Sequence, residues 1–577
     1  MSVSAATTTA TAATSKDLPQ LVLIETSGNQ AYVFQSNRLK EMVGASELTW
    51  QCGVRWIGEA ICAITGKKFN GPHRDWLVDA ANNPPFASGG KVEAIQLTSG
   101  KALLIVDCAE TAKTIISTVT RRALHEAPGL DVCGFFVPLG DVTSASAIGT
   151  ALEALYQGFA EAKMRRPSVH ARFPMQPVLM PCNSTGLPAE GEYDRKVLSR
   201  SAIAKRVAKK GWEERWLAML AAIAPETKQE PKTEQYWYPT VSKDMEVLAE
   251  GWIALVHADG NGLGELFINF ATHFATSVLA KAATSDCGRA LLNAYRNFSI
   301  EVEAATEAAF CRACAKLQLS KQTFRDGNDR QEPVLVKPIL PLILGGDDLT
   351  VLVDGEQAIA FTENYLRAFE LESAKQPTII AIRTAAKKPP YLSACAGISI
   401  FGNHYPLHLA YDLAEALCKS AKTVKKHSNC HSAFDVHPIY DSGTLDLDGI
   451  RAQLRPKNEV GTQLFRRPFV LAQAGTELPP NWLAVHDWQC CVQRIQAILQ
   501  QKDDRRALPN KLLHELRSLL FEGSAQADAY FKLMQGKHRA LIALAEAGNS
   551  LFSGSNTLLI DALELAPFYA LTQESTS

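Results

Sequence analysis

The residues best suited to chemistry are two adjacent aspartates, Asp347 and Asp348, which follow the dipeptide Gly345-Gly346. They lie between two short apolar runs, Leu340–Leu344 and Leu349–Val353. This pattern predicts two buried strands joined by a tight turn, where glycine permits positive φ and close approach of a ligand to the backbone. Paired carboxylates on a buried hairpin are costly unless a cation neutralises them, and Mg²⁺ prefers such hard oxygen ligands. The motif predicts a metal and phosphate site, with an ordinary surface hairpin as the alternative.

A third carboxylate, Asp259, ends an apolar run that begins at Trp252. In a ferredoxin-like sheet the first strand and the hairpin are neighbours, so we expect Asp259 beside Asp347 and Asp348. Three carboxylates on two adjacent elements could bind two Mg²⁺ or Mn²⁺ ions roughly 3.5 to 4 Å apart, which activate a hydroxyl and stabilise leaving pyrophosphate. The carbonyl of Gly260 is a candidate additional ligand.

Two further groups of residues are candidates for binding the phosphates of a nucleotide. Asn261, Gly262 and Gly264 are expected to form a loop that opens onto a helix, where free N–H groups can receive a triphosphate. Lys419 and Lys422 lie near the end of a later predicted helix, and one of them could contact the phosphates as a point charge. Lys422 is the preferred candidate, and solvent exposure of both lysines is the alternative.

The order of predicted elements occurs twice. Residues 21–137 are predicted to form a strand, helices, a hairpin, a helix and a strand, which is the ferredoxin-like order, and the same order returns over 252–436. The first copy has Ser99-Gly100-Lys101 where the second has Gly346-Asp347-Asp348. We therefore expect an α/β (α+β) protein with two ferredoxin-like domains, of which the second carries the carboxylates.

The other segments give coarser expectations. In the first copy a helix is expected to end at Gly44-Ala45-Ser46, and Phe69–Gly90 is expected to be a loop. Residues 320–333 are expected to form a mobile polar loop. Helices are expected after Pro456, including one over Tyr530–Glu546. A basic stretch is expected to be a solvated helix face, with a nucleic-acid or partner-docking surface as the alternative; its residues are Lys196, Arg200, Lys205, Arg206, Lys209 and Lys210.

The composition sets outer bounds. A chain of 577 residues with 46% apolar and 21% charged residues is typical of a soluble protein with several domains. Its net charge of −1 argues against a strongly cationic nucleic-acid binder, and no apolar run approaches the ~20 residues that span a bilayer. The first eighteen residues are expected to be a disordered tail. The 13 scattered cysteines suit reduced thiols, so we expect a cytoplasmic protein.

These motifs resemble those of a known family. The strand end His257–Gly262, paired with Gly345–Asp348 and followed by Ala396–Phe401 and Ala421-Lys422, resembles the GGDEF and polymerase-palm group of nucleotide cyclases. With Glu25–Gln30 of the first copy, the chain resembles the two-palm large subunit of type III CRISPR effector complexes.

The resemblance implies a fold and an activity. It implies a nucleotidyltransferase of antiviral defence that makes cyclic oligonucleotides, in particular cyclic oligoadenylate from ATP, with Asp259, Asp347 and Asp348 as catalytic and metal-binding residues. The partners would be ATP, possible RNA and other effector-complex subunits; we expect no membrane partner and see no DNA-specific motif. The expected divisions are a tail (1–18), a non-catalytic first palm (19–173), a small connecting domain (174–245), a second palm (246–445) and a helical C-terminal domain (446–577).

The sequence also departs from that family. The larger members begin with a His-Asp nuclease domain, for which we see no room before Leu21, and Cys182 has no partners for a zinc site. A nuclease-free subunit and a stand-alone cyclase are both open. So are two other functions, a catalytically silent scaffold that binds nucleotide or RNA and a dinucleotide cyclase that uses GTP.

Overall fold

The structure is a computed structural model that carries protein atoms alone. It describes residues 18–86, 90–166, 169–223, 236–237, 248, 251–282, 286–325, 331–428, 430–440, 446–457, 459, 461–473, 477–502 and 505–569. The tail predicted over residues 1–18 lies outside this description except for its last residue, and so does part of the predicted connecting domain.

The first module, residues 18–166, is built on one antiparallel sheet. Its elements are β1 (Gln20–Ser27), α1 (Asn29–Val33), α2 (Leu39–Trp50), α3 (Ile57–Thr65), α4 (His73–Val78), β2 (Val92–Thr98), β3 (Lys101–Val106), α5 (Ala109–Glu126), β4 (Asp131–Pro138) and α6 (Ala145–Met164). The strand order is β2-β3-β1-β4, with every neighbouring pair antiparallel. This is the ferredoxin-like order, which confirms the expected fold of this region. Helix α4 lies within the segment predicted to be a loop.

Helix α2 does not end where the sequence suggested. It passes through Gly44-Ala45-Ser46 and continues by a π-helical turn at Gln51–Trp56 into α3. A side chain at Gly44 would place its Cβ 1.7 Å from the carbonyl oxygen of Lys205. Glycine at position 44 therefore serves the close packing of two helices and does not mark a helix end.

The connecting region contains β5 (Gly191–Tyr193), β6 (Lys196–Leu198), α7 (Arg200–Ile223) and β7 (Tyr236–Trp237). Helix α7 packs along α2 and corrects the prediction of a solvated basic face. Lys205 and Arg206 are buried, with 0% and 5% of their surface exposed. The Lys205 ammonium donates to the carbonyl oxygen of Tyr32 at 2.6 Å, and Arg206 donates to Glu41 at 2.7 Å and 2.8 Å. Lys210 remains exposed, as expected.

The second module, residues 251–440, repeats the sheet of the first and extends it. Its elements are β8 (Trp252–Gly260), α8 (Leu263–Ile268), α9 (Phe270–Thr276), α10 (Val278–Ala282), α11 (Cys287–Lys316), β9 (Ser320–Arg325), β10 (Gln331–Val336), β11 (Ile339–Gly345), β12 (Asp348–Asp354), α12 (Ala358–Ser373), α13 (Pro377–Ala385), β13 (Ala394–Gly402), α14 (Leu407–Ala421) and β14 (Ala433–Pro438). The order β11-β12-β8-β13 is the ferredoxin-like order again, and β14 and the short strand β15 (Phe469–Val470) continue the sheet beyond β13.

The prediction of a mobile loop over 320–333 is wrong for the residues that the structure describes. β9 and β10 pair antiparallel, and β10 also pairs with β7. Residues 326–330 lie outside the description.

The C-terminal region is mainly helical, as expected. It contains α15 (Leu447–Gln453), β15 (Phe469–Val470), α16 (Trp482–Val485), α17 (Trp488–Leu499), β16 (Gln501–Lys502), β17 (Arg505–Arg506), α18 (Asn510–Glu522), α19 (Ser524–Gln535) and α20 (Leu559–Leu565). The helix predicted over Tyr530–Glu546 is instead the end of α19 and a 3₁₀ turn, Arg539–Leu544. Among the described helices, none has the length and apolar character needed to cross a membrane.

The two modules contact each other through the long helix α11. Arg289 of α11 donates to both carboxylate oxygens of Glu93 in β2 at 2.6 Å and 2.9 Å, and Arg296 also pairs with this fully buried carboxylate. Nearer the hairpins, the rings of Phe34 and Tyr411 stack with centroids 4.0 Å apart. The sheets of both modules therefore share one continuous core.

Candidate active site

The three predicted carboxylates are brought together at the centre of the second sheet. Asp259 lies near the end of β8, Asp347 lies in the turn between β11 and β12, and Asp348 is the first residue of β12. β12 pairs with β8 so that Leu349 faces Ala258, which places Asp348 beside Asp259 one residue further along. One oxygen from each of the three carboxylates lies within 4.8 Å of the others.

The crowding of like charges changes the proton affinity of the pair. Desolvation, together with the charge of Asp259, raises the pKa of Asp347 to about 6. Desolvation and the charges of Asp347 and Asp259 hold the pKa of Asp348 well above its ordinary value. Both shifts have the direction expected of neighbouring carboxylates that are partly removed from solvent.

Lys422 supplies the positive charge nearest to this cluster. It begins the 3₁₀ turn Lys422–Lys426 that follows α14, and its ammonium contacts the Asp259 carboxylate. Burial would lower the pKa of Lys422, but the charge of Asp259 and the hydrogen bond to it outweigh burial and raise that pKa. Lys419 points elsewhere: it pairs with Glu415 at 2.6 Å, and its side chain is 70% exposed. The structure thus places Lys422, and not Lys419, at the carboxylates.

The glycines around the site keep space open for its carboxylates. A Cβ on Gly260 would lie 2.8 Å from Oδ2 of Asp347, so glycine is required for Asp347 to occupy its position. Gly346 has a φ of +62°, the left-handed region that favours glycine in a tight turn. Gly345 is the last residue of β11, and a Cβ there would lie 2.8 Å from Cβ of Ser99 in the first module.

The predicted phosphate loop after β8 differs in detail from expectation. Gly262 precedes α8 with a φ of +72°, but Gly264 lies inside α8 and not in the loop. The backbone N–H of Asn261 is not free, since it donates to the carbonyl oxygen of Ser393 at 2.8 Å. The Asn261 side-chain amide also donates to Ser393 Oγ at 3.1 Å. Asn261 therefore fixes this loop against the residue that precedes β13.

Two supporting contacts were not predicted from the sequence. The Thr306 hydroxyl of α11 donates to the carbonyl oxygen of Gly346 at 2.7 Å, so it holds the aspartate turn from below. Nδ1 of the buried His257 lies 3.0 Å from the Thr350 hydroxyl and joins β8 to β12. Local sequence gives no signal for the contact between Thr306 and Gly346, because the two residues are 40 positions apart. The contact between His257 and Thr350 could have been found from the expected pairing of β8 with β12, in which these two residues face each other.

The donor set suits a hard divalent cation. Carboxylate oxygens are the ligands that Mg²⁺ and Mn²⁺ prefer, and three carboxylates meet here with Lys422 paired to one of them. Asp259, Asp347 and Asp348 are the residues that would hold such ions. The chemistry available to metal-bound carboxylates beside a phosphate loop is phosphoryl or nucleotidyl transfer.

Comparison with known proteins finds one family model and several solved structures that are similar to this chain. Residues 252–430 match the family model for the second palm domain of Cas10/Cmr2. Among curated proteins, none matches the chain significantly. The crystal structure of a Csm1-Csm4 cassette in complex with one ATP aligns with a TM-score of 0.50 at 13% identity, covering 96% of this chain and 70% of that one. This level of identity is informative about the fold alone.

Two other crystal structures are similar but align less well. That of Csm1 in T.onnurineus has a TM-score of 0.48 at 13% identity and covers 96% of this chain and 68% of that one. That of a Csm1-Csm4 cassette in complex with cA4 has a TM-score of 0.46 at 13% identity and covers 90% of this chain. This chain spans 65% of the length of that last protein. The fold, the carboxylates and the family match together show that this chain resembles the Cas10/Cmr2 proteins, with which residues 252–430 share the second palm domain.

Proposed function

We propose that the protein is a nucleotidyltransferase that joins nucleoside triphosphates, in particular ATP, into a cyclic oligonucleotide. The observation that carries the proposal is the convergence of Asp259, Asp347 and Asp348 within 4.8 Å inside a second palm domain. A crystal structure of similar fold contains one ATP, which supports the choice of nucleotide. The cyclic product and the role in antiviral defence rest on the resemblance to type III CRISPR large subunits.

In each step of the proposed reaction, a 3′-hydroxyl oxygen attacks an α-phosphorus atom. The bond from that phosphorus to the bridging oxygen of the β-phosphate breaks, pyrophosphate leaves, and the hydroxyl proton passes to solvent. A final attack by the terminal 3′-hydroxyl on the 5′ α-phosphate of the same chain closes the ring. Divalent cations, when bound, would lower the pKa of the attacking hydroxyl and stabilise the charge on pyrophosphate.

The residues of this chain have distinct proposed roles. Asp259 and Asp347 would hold the metal ions, with the carbonyl of Gly260 as a further ligand, and Asp348 would complete the site. Lys422, which pairs with Asp259 in this structure, would contact the phosphates once cations take over the charge of Asp259. Gly345 and Gly346 let the nucleotide approach the backbone, and Gly262 opens the phosphate loop. Lys419 has no role at the reacting atoms, because its charge is paired with Glu415.

The deciding experiment is product analysis with matched variants. Purified protein is incubated with each labelled nucleoside triphosphate and Mg²⁺ or Mn²⁺, alone and with candidate RNA activators, and products are identified by mass spectrometry. We expect a cyclic oligonucleotide from the wild type and none from Asp347→Ala/Asp348→Ala, with an unchanged circular dichroism spectrum.

The matched control is Glu153→Ala/Glu161→Ala, which removes two exposed carboxylates from α6. It should retain full synthesis. Synthesis that persists in the double aspartate variant would refute the site. Nucleotide binding without product under every condition would favour a scaffold, and a product made from GTP would replace the assignment of ATP.

A further inference from the structure

An open cavity of about 380 Å³ lies in the connecting region, away from the aspartates. It is bounded by the residue before α2, the β5–β6 hairpin and the loop that precedes this hairpin. Its described lining contains cations and neutral residues but no carboxylate: Arg38, Asn183, Ser184, Arg195, Lys196, Val197 and Arg206. Such a concave, positively charged surface favours an anion.

Most of this positive charge is not balanced by the protein. Of the acidic groups nearby, Glu41 pairs with Arg206 at 2.7 Å and Asp194 with Lys40 at 3.3 Å. The exposed Glu192, opposite Val197 in the hairpin, forms no ion pair among the described residues. Within the part of the chain that the structure describes, Arg38, Arg195 and Lys196 form no ion pair. Three cations that share one cavity without a counter-charge repel one another, and a bound anion would relieve this repulsion.

Arg206 is an independent sign that the cavity is a built site. Only 5% of its surface is exposed, and its Nε and Nη2 both donate to Glu41. Its third nitrogen, Nη1, is buried and has no hydrogen-bond partner among the residues that the structure describes. A buried guanidinium nitrogen without a partner is costly, and an oxyanion in the adjoining cavity is an acceptor that could satisfy it.

The β5–β6 hairpin, which carries Arg195 and Lys196, has an unfavourable backbone conformation at its turn. Asp194 and Arg195 form its two-residue turn with φ values of +50° and +57°, a conformation usually occupied by asparagine and glycine. Arg195 is a costly choice for this position on backbone grounds. The side chain of Arg195 lines the cavity together with that of Lys196. A role in binding an anion there would explain why arginine occupies this unfavourable backbone position.

We propose that this cavity binds the phosphate group of a small soluble molecule: inorganic phosphate, pyrophosphate or a nucleoside polyphosphate. Arginine presents a planar fork of donors that matches phosphate oxygens, and three of the four cations are arginines. The volume exceeds that of one phosphate group, so it leaves room for a second phosphate or part of a nucleoside. This site is separate from the aspartates and requires no metal.

The test is calorimetric titration of the full-length protein with pyrophosphate in excess EDTA, so that metal-dependent binding at the aspartates is removed. We expect saturable binding by the wild type that is at least tenfold weaker in Arg195→Ala/Lys196→Ala. Binding should stay within twofold in the control Lys113→Ala/Lys210→Ala, which removes two exposed cations outside the cavity. Asp347→Ala/Asp348→Ala should also bind normally, whether or not the proposed synthesis is correct.

The same titration with inorganic phosphate and with ATP identifies the source of the phosphate group. Tightest binding of either one assigns the site to that molecule and supports the proposal. Absence of binding for all three compounds, or equal weakening in the cavity variant and the control, would overturn it. Binding of a short single-stranded RNA, but of none of the three small compounds, would also overturn it in favour of a macromolecular ligand.

Discussion

At the scale of single residues, the site is defined by an imbalance of charge. Asp259, Asp347 and Asp348 converge, and Lys422 contacts the first of them. Desolvation and the neighbouring carboxylates raise the pKa values of Asp347 and Asp348.

Replacement of Lys422 by methionine should separate the effect of this residue on stability from its effect on product formation. Without the ammonium the carboxylates repel one another, so we expect the melting temperature in EDTA to fall by several degrees and added Mg²⁺ to restore it. Product formation should fall by about tenfold or more, a loss of about 1.4 kcal/mol in transition-state binding. Lys419→Met, on the same helical segment, is the control and should change neither. A Lys422→Met variant with wild-type stability in EDTA would show that the ion pair with Asp259 is unimportant.

The buried carboxyl group of Glu370 on α12 should make the stability of the protein depend on pH. Burial raises the pKa of Glu370 to about 7, although Ser432, which donates to its Oε1 at 2.6 Å, opposes the shift. The folded protein therefore holds this proton up to about pH 7, whereas the unfolded chain releases it near 4.5. The stability linked to Glu370 is fully present below pH 4.5 and is lost as the pH rises through 7.

Glu370→Gln keeps the acceptor but cannot ionise, so it should be more stable than the wild type at pH 8, by up to about 3 kcal/mol. This gain should disappear at pH 4.5. Urea unfolding at both pH values measures it, with the exposed Glu356→Gln as the control. An equal effect of Glu370→Gln at both pH values would contradict the shift.

At the scale of elements, the aspartate turn is positioned by a helix that lies outside its hairpin. Thr306 of α11 donates to the carbonyl of Gly346, and the same helix contacts the first module through Glu93. Helix α11 thus connects the turn to the neighbouring module. The position of the carboxylates depends on this helix as much as on β11 and β12.

Thr306→Val removes the hydroxyl while it preserves side-chain shape. The free energy of unfolding should fall by only about 1 kcal/mol, because one hydrogen bond is lost. Product formation should fall further, by about tenfold, since a shift of the turn misplaces Asp347. The control is Thr362→Val, whose hydroxyl donates only within α12, to Ala358 at 2.8 Å. Equal losses of activity in both variants would show that Thr306 contributes only to general stability and does not position the aspartate turn.

The sequence predicted the elements wherever local pattern determines them. Short apolar runs bounded by turn residues predicted β8, β11 and β12. Prediction from the sequence failed where a residue that is distant in the chain determines the local structure. Gly44 suggests a helix end in the sequence, but in the structure it lies inside α2 and allows the backbone of Lys205 to pack against this helix. Lys205 and Arg206 suggest a solvated face because the groups that bind them, Tyr32 and Glu41, are more than 160 positions away.

The same distinction applies to the candidate site. Asp259, Asp347 and Asp348 could be brought together from strand order alone, because the ferredoxin-like topology fixes which strands are neighbours. Lys422 was preferred to Lys419 only slightly from sequence, since both lie at the end of one helix. The separation of their roles depends on side-chain direction, which local sequence does not encode.

At the scale of the whole molecule, the two modules are joined by buried charge as well as by apolar packing. Glu93 is fully buried and accepts hydrogen bonds from Arg289 and Arg296 of α11. Such a triad adds little net stability as a whole, but removal of one member leaves buried charges without a partner. It specifies how the first sheet is placed against α11.

Glu93→Ala should therefore lower the free energy of unfolding by about 3 to 5 kcal/mol, because the buried Arg296 and the partly buried Arg289 lose their counter-charge. Urea unfolding measures this loss. Glu110→Ala, at an exposed ion pair with Lys113, should cost no more than about 1 kcal/mol. A similar small loss in both variants would mean that the arginines find other partners or solvent.

The approach of Ser99 to Gly345 also has an evolutionary consequence. No side chain fits at position 345 while Ser99 stays where it is, since even a methyl group would lie 2.8 Å from Cβ of Ser99. The two positions therefore cannot vary independently: a larger residue at one demands a smaller residue at the other. The hairpin of the first module thus constrains the shape of the hairpin that carries the aspartates, so a substitution in one module limits what the other can tolerate.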